Sequence, residues 1–120
     1  MPGGKQEKAK PIARGYPPPP AQVAVYADVI GPARTVDFLL AFGGAEMAIP
    51  KSPGKNSMLA HVVGIENARK LSANAHRLPK RVPLAKKWLT QSLAMQGLPV
   101  AQIARTLRTS DVSVRKWLKA

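Results

Sequence analysis

The chain has 120 residues but no cysteine, and only six acidic residues stand against nineteen lysines and arginines. The lack of cysteine excludes disulfide bonds and thiolate chemistry, as is usual for proteins of the reducing cytoplasm. No segment approaches the run of about 18 apolar residues that a transmembrane helix needs. No apolar run follows the first lysines, as a secretory signal would require. We therefore expect a cytoplasmic protein that does not span a membrane.

The positive charge is concentrated in the last third of the chain. Residues 78–120 contain nine basic residues and one acidic residue, a net charge of +8, whereas residues 23–77 carry a net charge of +2. Lysines and arginines that contact phosphates release counterions, so such a segment attracts nucleic acid before any base is read. The charge favours a nucleic acid as partner. A solvated basic surface, or a protein that meets RNA or an anionic membrane, would show the same balance.

The N-terminal end has a different composition from the rest. Residues 1–22 contain six of the twelve prolines and three of the nine glycines. Such a segment cannot bury enough apolar surface to offset the entropy of ordering it. We expect residues 1–22 to form a disordered, proline-rich tail.

The body of the chain resembles itself at an offset of 33 residues. ADVIG (27–31) aligns with AHVVG (60–64), and AIP (48–50) aligns with RVP (81–83). Each unit is predicted to contain a short apolar segment, a glycine, a helix and an extended piece that ends at proline. Pro32 is suited to a first helical turn and the pair Gly43-Gly44 to a helix end, so the first helix lies between them. Residues 45–50 alternate in polarity and predict a short β-strand.

The last forty residues predict three helices. The first covers residues 84–96, and its inward face is formed by Ala85, Trp88, Leu89, Ser92 and Leu93. In the second, Val100, Ile103, Ala104 and Leu107 share one face; in the third, the apolar face is formed by Val114, Trp117 and Leu118. Thr109-Ser110-Asp111 separates them, and Ser110 is suited to cap the last helix. This spacing predicts a helix–turn–helix domain over residues 81–120, with an ordinary helical hairpin as the alternative.

One position departs from the usual turn of that motif. A glycine commonly follows the leucine that ends the first of the two helices, because the backbone needs a positive φ there. This chain has Arg108 at that position. We therefore expect either a strained arginine or a turn of another shape.

The faces of the two helices assign candidate DNA contacts. Side chains on the outward N-terminal half of the last helix are placed to reach base edges: Val112, Ser113 and Lys116. Others are better placed for phosphates: Arg105, Arg108, Ser110, Arg115 and Lys119. Gln102, near the start of the preceding helix, is placed to touch the DNA backbone. A solvated surface charge is the alternative for each basic residue.

Catalytic patterns are missing. His61 and His76 lie fifteen residues apart with no carboxylate at ligand spacing, and the acidic residues are too scattered to form a general acid–base pair. We expect no enzymatic activity, no metal and no cofactor.

Three segments resemble the Mor/C family of Mu-like phage transcription activators. They are DVIG…FLLAFGGAEMAIPK (28–51), its echo HVVGIENARKL (61–71), and LPVAQIARTLRTSDVSVRKWL (98–118). The resemblance covers roughly residues 26–118. It implies a mostly α-helical protein with an N-terminal helical dimerisation region, residues 23–80, that includes the short β-strand, and a C-terminal three-helix helix–turn–helix.

The same resemblance implies a function. Such proteins act as homodimers that bind imperfect dyad sites on double-stranded DNA upstream of phage promoters and recruit host RNA polymerase. It places further DNA contacts around the strand, at Gly43, Gly44 and Met47, and places the protein in the bacterial host cytoplasm at the nucleoid. Two alternatives remain open: a small phage protein that modulates a host protein and keeps the helix–turn–helix as a scaffold, and a repressor or transposition accessory.

Overall fold

The structure, a computed structural model, describes residues 15–119. These residues fall into two compact units. The N-terminal unit contains residues 18–85, and the C-terminal unit contains residues 86–119 together with residues 15–17. Six α-helices make up most of this part of the chain, so the expected mostly α-helical class is confirmed. No helix within it has the length and apolar content that crossing a bilayer requires.

The N-terminal unit is built from three α-helices and a short 3-10 turn. They are α1 (Ala21–Phe42), α2 (Met58–Val63), α3 (Ile65–Ala73) and the turn Ala75–Arg77. The helix predicted after Gly64 is confirmed as α3. α1 begins two residues inside the segment predicted to be a disordered tail, and Gly15 to Pro17 belong to the C-terminal unit. Residues 1–14 of that predicted tail lie outside the described residues.

The 33-residue repeat is visible in the backbone. α1 is broken at Gly31, which has φ 82° and ψ 159°. Gly64, one repeat later, separates α2 from α3 with φ 88° and ψ 153°. This conformation is open almost only to glycine, since any Cβ would strain it. Each repeat is therefore a helix, a glycine and a second helix, and the apolar segment predicted before each glycine is itself helical.

The core of the N-terminal unit follows the same register. Four pairs of buried residues lie 33 positions apart: Tyr26 and Leu59, Ile30 and Val63, Thr35 and Ala68, Phe38 and Leu71. The ring centroids of Tyr26 and Phe38 lie 5.0 Å apart, and burial raises the pKa of the Tyr26 phenol. Burying each large apolar side chain contributes about 1.5–3 kcal/mol, so both repeats contribute to the stability of the unit.

The β-strand predicted over residues 45–50 does not form. Among the described residues there is only an isolated antiparallel bridge, between Glu46 and Arg81. Around it, the Val82 amide donates to the carbonyl oxygen of Ala45 at 2.9 Å, and the Met47 amide donates to that of Lys80 at 3.2 Å. The pairing stays short because the partner segment is bordered by Pro79 and Pro83, and proline has no N–H to donate.

The C-terminal unit contains three helices that pack against one another. They are α4 (Lys86–Met95), α5 (Val100–Leu107) and α6 (Asp111–Lys119). α4 begins two residues later than predicted, after Ala85, whose φ of 50° is not helical. The shared core consists of Trp88, Leu89, Leu93, Ile103, Ala104, Leu107 and Val114. The predicted core position Leu118 is instead 37% exposed, and Trp117 is half-buried.

Candidate nucleic-acid interface

The connection between α5 and α6 turns on Arg108. Its backbone is left-handed, with φ 55° and ψ 50°. The Arg108 amide donates to the carbonyl oxygen of Arg105 at 3.2 Å, and the Thr109 amide donates to that of Ala104 at 2.9 Å. This pair of bonds is the Schellman ending of a helix, where glycine is the favoured residue. The turn therefore has the geometry that glycine usually supplies, and Arg108 adopts it at a cost of about 1 kcal/mol.

α6 begins with a hydroxyl cap. The Ser110 Oγ accepts the Ser113 amide at 3.1 Å and donates to the Ser113 Oγ, also at 3.1 Å. The predicted cap at Ser110 is thus confirmed. Asp111 lies in the first turn, where a carboxylate interacts favourably with the positive end of the helix dipole. Both serine hydroxyls are engaged with each other in this turn.

The outward face of α6 carries two rows of side chains spaced four residues apart. One row is Val112 and Lys116, and the other is Asp111, Arg115 and Lys119; all five are exposed. Arg115 lies 3.9 Å from Asp111, and both side chains are about half exposed, so this pair adds little to stability. The face therefore presents three cations and one apolar side chain, with one carboxylate at its beginning.

α5 contributes the remaining candidates from its own outward side. Ile103, Ala104 and Leu107 are buried, which leaves Gln102 and Arg105 exposed. Of the nine predicted DNA contacts in this unit, eight are exposed and only Ser113 is half-buried. The structure thus places these residues on the solvent side of α5, the turn and α6.

α4 packs against both α5 and α6 on the side opposite to their exposed faces. The Gln91 Nε2 donates to the carbonyl oxygen of Trp117 at 3.0 Å, which satisfies a backbone group in the last turn of α6. The Trp88 Nε1 donates to the carbonyl oxygen of Pro17 at 2.9 Å, and the Gln96 Nε2 donates to that of Gly15 at 3.0 Å. The sequence predicted that Trp88 faces inward, but it did not predict any of these three hydrogen bonds, because each joins positions far apart in the chain and leaves no local pattern.

The predicted strand contacts lie in the N-terminal unit and have backbone roles there. Gly43 ends α1, and a Cβ at this position would lie 2.6 Å from the carbonyl oxygen of Leu39. Gly44 has φ 85°, and its amide donates to the carbonyl oxygen of Val82 at 2.7 Å. Met47 is half-buried, and its amide is bonded to Lys80. These contacts explain the paired glycines structurally, and their part in DNA binding stays a prediction.

The two units differ in how their charges are paired. In the N-terminal unit three of the four acidic residues lie 3.2–3.3 Å from an arginine: Asp28 from Arg77, Asp37 from Arg34, and Glu46 from Arg81. Residues 86–119 contain seven basic residues and the single carboxylate of Asp111, a net charge of +6. Among residues 15–119, Arg115 alone of these seven cations has a carboxylate within 4.0 Å, so most of this positive charge is open to an anionic partner.

Within residues 15–119 no three side chains of histidine, aspartate or glutamate come together in a way that could hold a metal ion. His61 and His76 are both exposed. Comparison of the chain with protein-family models, with curated proteins and with solved structures gives no match.

Proposed function

We propose that the C-terminal unit is a helix–turn–helix domain that binds double-stranded DNA, and that the protein is a sequence-specific transcription regulator. The observation that carries this proposal is the outward face of α6. A short, capped helix presents Val112, Arg115, Lys116 and Lys119 to solvent, while α4 and α5 cover its opposite side. A helix supported in this way is what the major groove of B-DNA admits.

The cations divide into two roles on geometric grounds. Lys116 follows Val112 by one turn on the same row, where a long donor side chain reaches guanine O6 or N7. Arg115 and Lys119 form the other row, and with Arg105 and Arg108 they are placed for phosphates. Phosphate contacts set affinity and register, whereas base contacts set sequence preference.

Activation of phage promoters and recruitment of host RNA polymerase in the bacterial cytoplasm form the further part of the proposal, and they rest on the resemblance to the Mor/C family. Binding as a homodimer is physically favourable, because a single α6 reads few base pairs and a dyad site doubles the contacts. Footprinting on the promoters of the phage, followed by transcription in vitro with polymerase added, separates an activator from a repressor.

A binding experiment at two salt concentrations tests the DNA-binding role. Duplexes are first selected from a random library with the wild-type protein, and affinities are then measured at low and moderate salt. Arg115→Ala should weaken binding to selected and unselected DNA alike and reduce the slope of log K against log salt by about 0.9. Lys116→Ala should instead relax the preference at one position of the site.

Lys70→Ala is the matched control, since it removes one exposed cation from α3 of the N-terminal unit. It should change affinity and salt slope less than Arg115→Ala does. Absence of any enriched sequence in the selection, or equal losses on every sequence for Arg115→Ala and Lys116→Ala, would contradict the assignment.

A further inference from the structure

We infer that Val112 determines sequence specificity by contacting the C5 methyl group of a thymine in the major groove. This inference rests on the proposed DNA-binding function and adds to it the base that one residue reads. The Val112 side chain is apolar, yet it is not part of the buried core of the fold.

Val112 is 73% exposed, which is the largest exposed fraction of any large apolar side chain in the described part of the chain. It lies in the first turn of α6, on the row opposite to the buried Val114. A β-branched residue there lowers helix propensity relative to alanine and buries nothing in return. The protein's own packing therefore does not explain a valine at this position.

The neighbouring polar groups are already engaged. The hydroxyls of Ser110 and Ser113 bond to each other across the cap. The carboxylate of Asp111 lies toward Arg115, at 3.9 Å. Among the outward side chains of the first turn, the two methyl groups of Val112 are what remains to meet a base edge. Ser113, predicted from the sequence to read bases, is less available than Val112 because its hydroxyl is in the cap.

All four bases present hydrogen-bonding groups in the major groove, and thymine alone adds a methyl group there. A valine offers none of the donors or acceptors that guanine, adenine or cytosine would need. Removing the methyl group from the contacted thymine should therefore cost about four-fold in affinity, the value of one buried methyl group.

The test deletes the same contact from each side in turn. In a duplex selected by the wild-type protein, each thymine is replaced singly by deoxyuridine, which removes only the C5 methyl group. At one position of each half-site, wild-type protein should lose about four-fold in affinity. Val112→Ala should lose a similar factor on the thymine duplex and nothing further on the deoxyuridine duplex, because the contact is already absent.

Lys116→Ala serves as the control, since it weakens binding through another contact and should keep the full deoxyuridine effect. Circular dichroism checks that Val112→Ala folds, which its exposure leads us to expect. If deoxyuridine affects wild-type and Val112→Ala proteins equally at every thymine, the inference is overturned while specific DNA binding stands. If the selection enriches no sequence, the DNA-binding proposal fails first, and the inference falls with it.

Discussion

At the scale of single residues, Arg108 combines two requirements that favour different side chains. Its left-handed backbone closes α5 with the bonds from Arg108 and Thr109 to the last turn, a geometry suited to glycine. Its guanidinium is one of the exposed cations of residues 86–119, in which Asp111 is the single acidic side chain. Under the proposed DNA-binding function, Arg108 makes the turn less stable than glycine would, but it supplies a positive charge between the two helices.

Arg108→Gly should separate these two effects. Removing the Cβ relieves the left-handed strain, so the free energy of unfolding should rise by about 0.5–1 kcal/mol. The lost cation should lower affinity for DNA and reduce the salt dependence of binding. Thermal unfolding followed by tryptophan fluorescence measures the first effect, because Trp88 and Trp117 both lie in the C-terminal unit.

Arg108→Ala is the control for this prediction. It removes the same charge but keeps a Cβ in the left-handed region, so it should weaken DNA binding without the gain in stability. A melting temperature for Arg108→Gly equal to or below that of Arg108→Ala would show that the turn is not strained at this position.

At the scale of the element, α6 depends on its first turn. The nine-residue helix buries fully only Val114, with part of Trp117, so packing alone holds it weakly. The Ser110 hydroxyl satisfies the Ser113 amide, and Gln91 satisfies the carbonyl of Trp117 near the other end. A short helix with both ends bonded keeps its outward rows in fixed positions, which a specific contact with DNA requires.

The variants Ser110→Ala and Ser110→Asp should distinguish the effect of the cap on stability from the effect of charge on DNA binding. Alanine removes the cap and should lower the free energy of unfolding by about 1 kcal/mol. Aspartate still accepts the Ser113 amide and should keep stability near the wild-type value, but if DNA binds as proposed, its negative charge should repel the phosphates and reduce affinity. Urea unfolding and a binding titration on the same samples measure both. Equal stability of wild type and Ser110→Ala would refute the role of the cap.

At the scale of the whole molecule, residues 15–17 attach the start of the described chain to the unit that contains its end. The Trp88 indole and the Gln96 amide both donate to this segment, across 71 and 81 residues of sequence. Trp88 is 4% exposed, so its N–H depends on that acceptor. The segment is thus bonded to the C-terminal unit at two places.

Two truncations should show this dependence. Removal of residues 1–17 should lower the free energy of unfolding of the C-terminal unit by about 1–2 kcal/mol relative to removal of residues 1–14, since a buried donor loses its partner. Tryptophan fluorescence during urea unfolding provides the measurement. Indistinguishable midpoints for the two truncations would show that the segment contributes nothing to the core.

Local chemistry in the sequence predicted more of the structure than long-range contacts did. Three predictions rest on neighbours within a turn or two, and the structure contains all three features. They are the buried face of α5, the cap at Ser110 and the unusual backbone of Arg108. The prediction of a β-strand at residues 45–50 was wrong, because the pairing of this segment is limited by prolines more than thirty residues away in the sequence. The bond between Trp88 and Pro17 depends on a chain crossing that no local pattern encodes. The burial of Val114 beside an exposed Leu118 depends on how α4 and α5 approach α6.

The doubled architecture of the N-terminal unit bears on how this protein tolerates mutation. Four of its core positions exist twice, and the copies use different side chains: where the first repeat has the rings of Tyr26 and Phe38, the second has Leu59 and Leu71. The glycine between the helices is the same in both copies, because its backbone leaves no alternative. At each of these positions, the side chain found in one repeat is therefore a substitution that the equivalent position of the other repeat is expected to tolerate. A designer who wishes to vary this core can take the first substitutions from the protein itself.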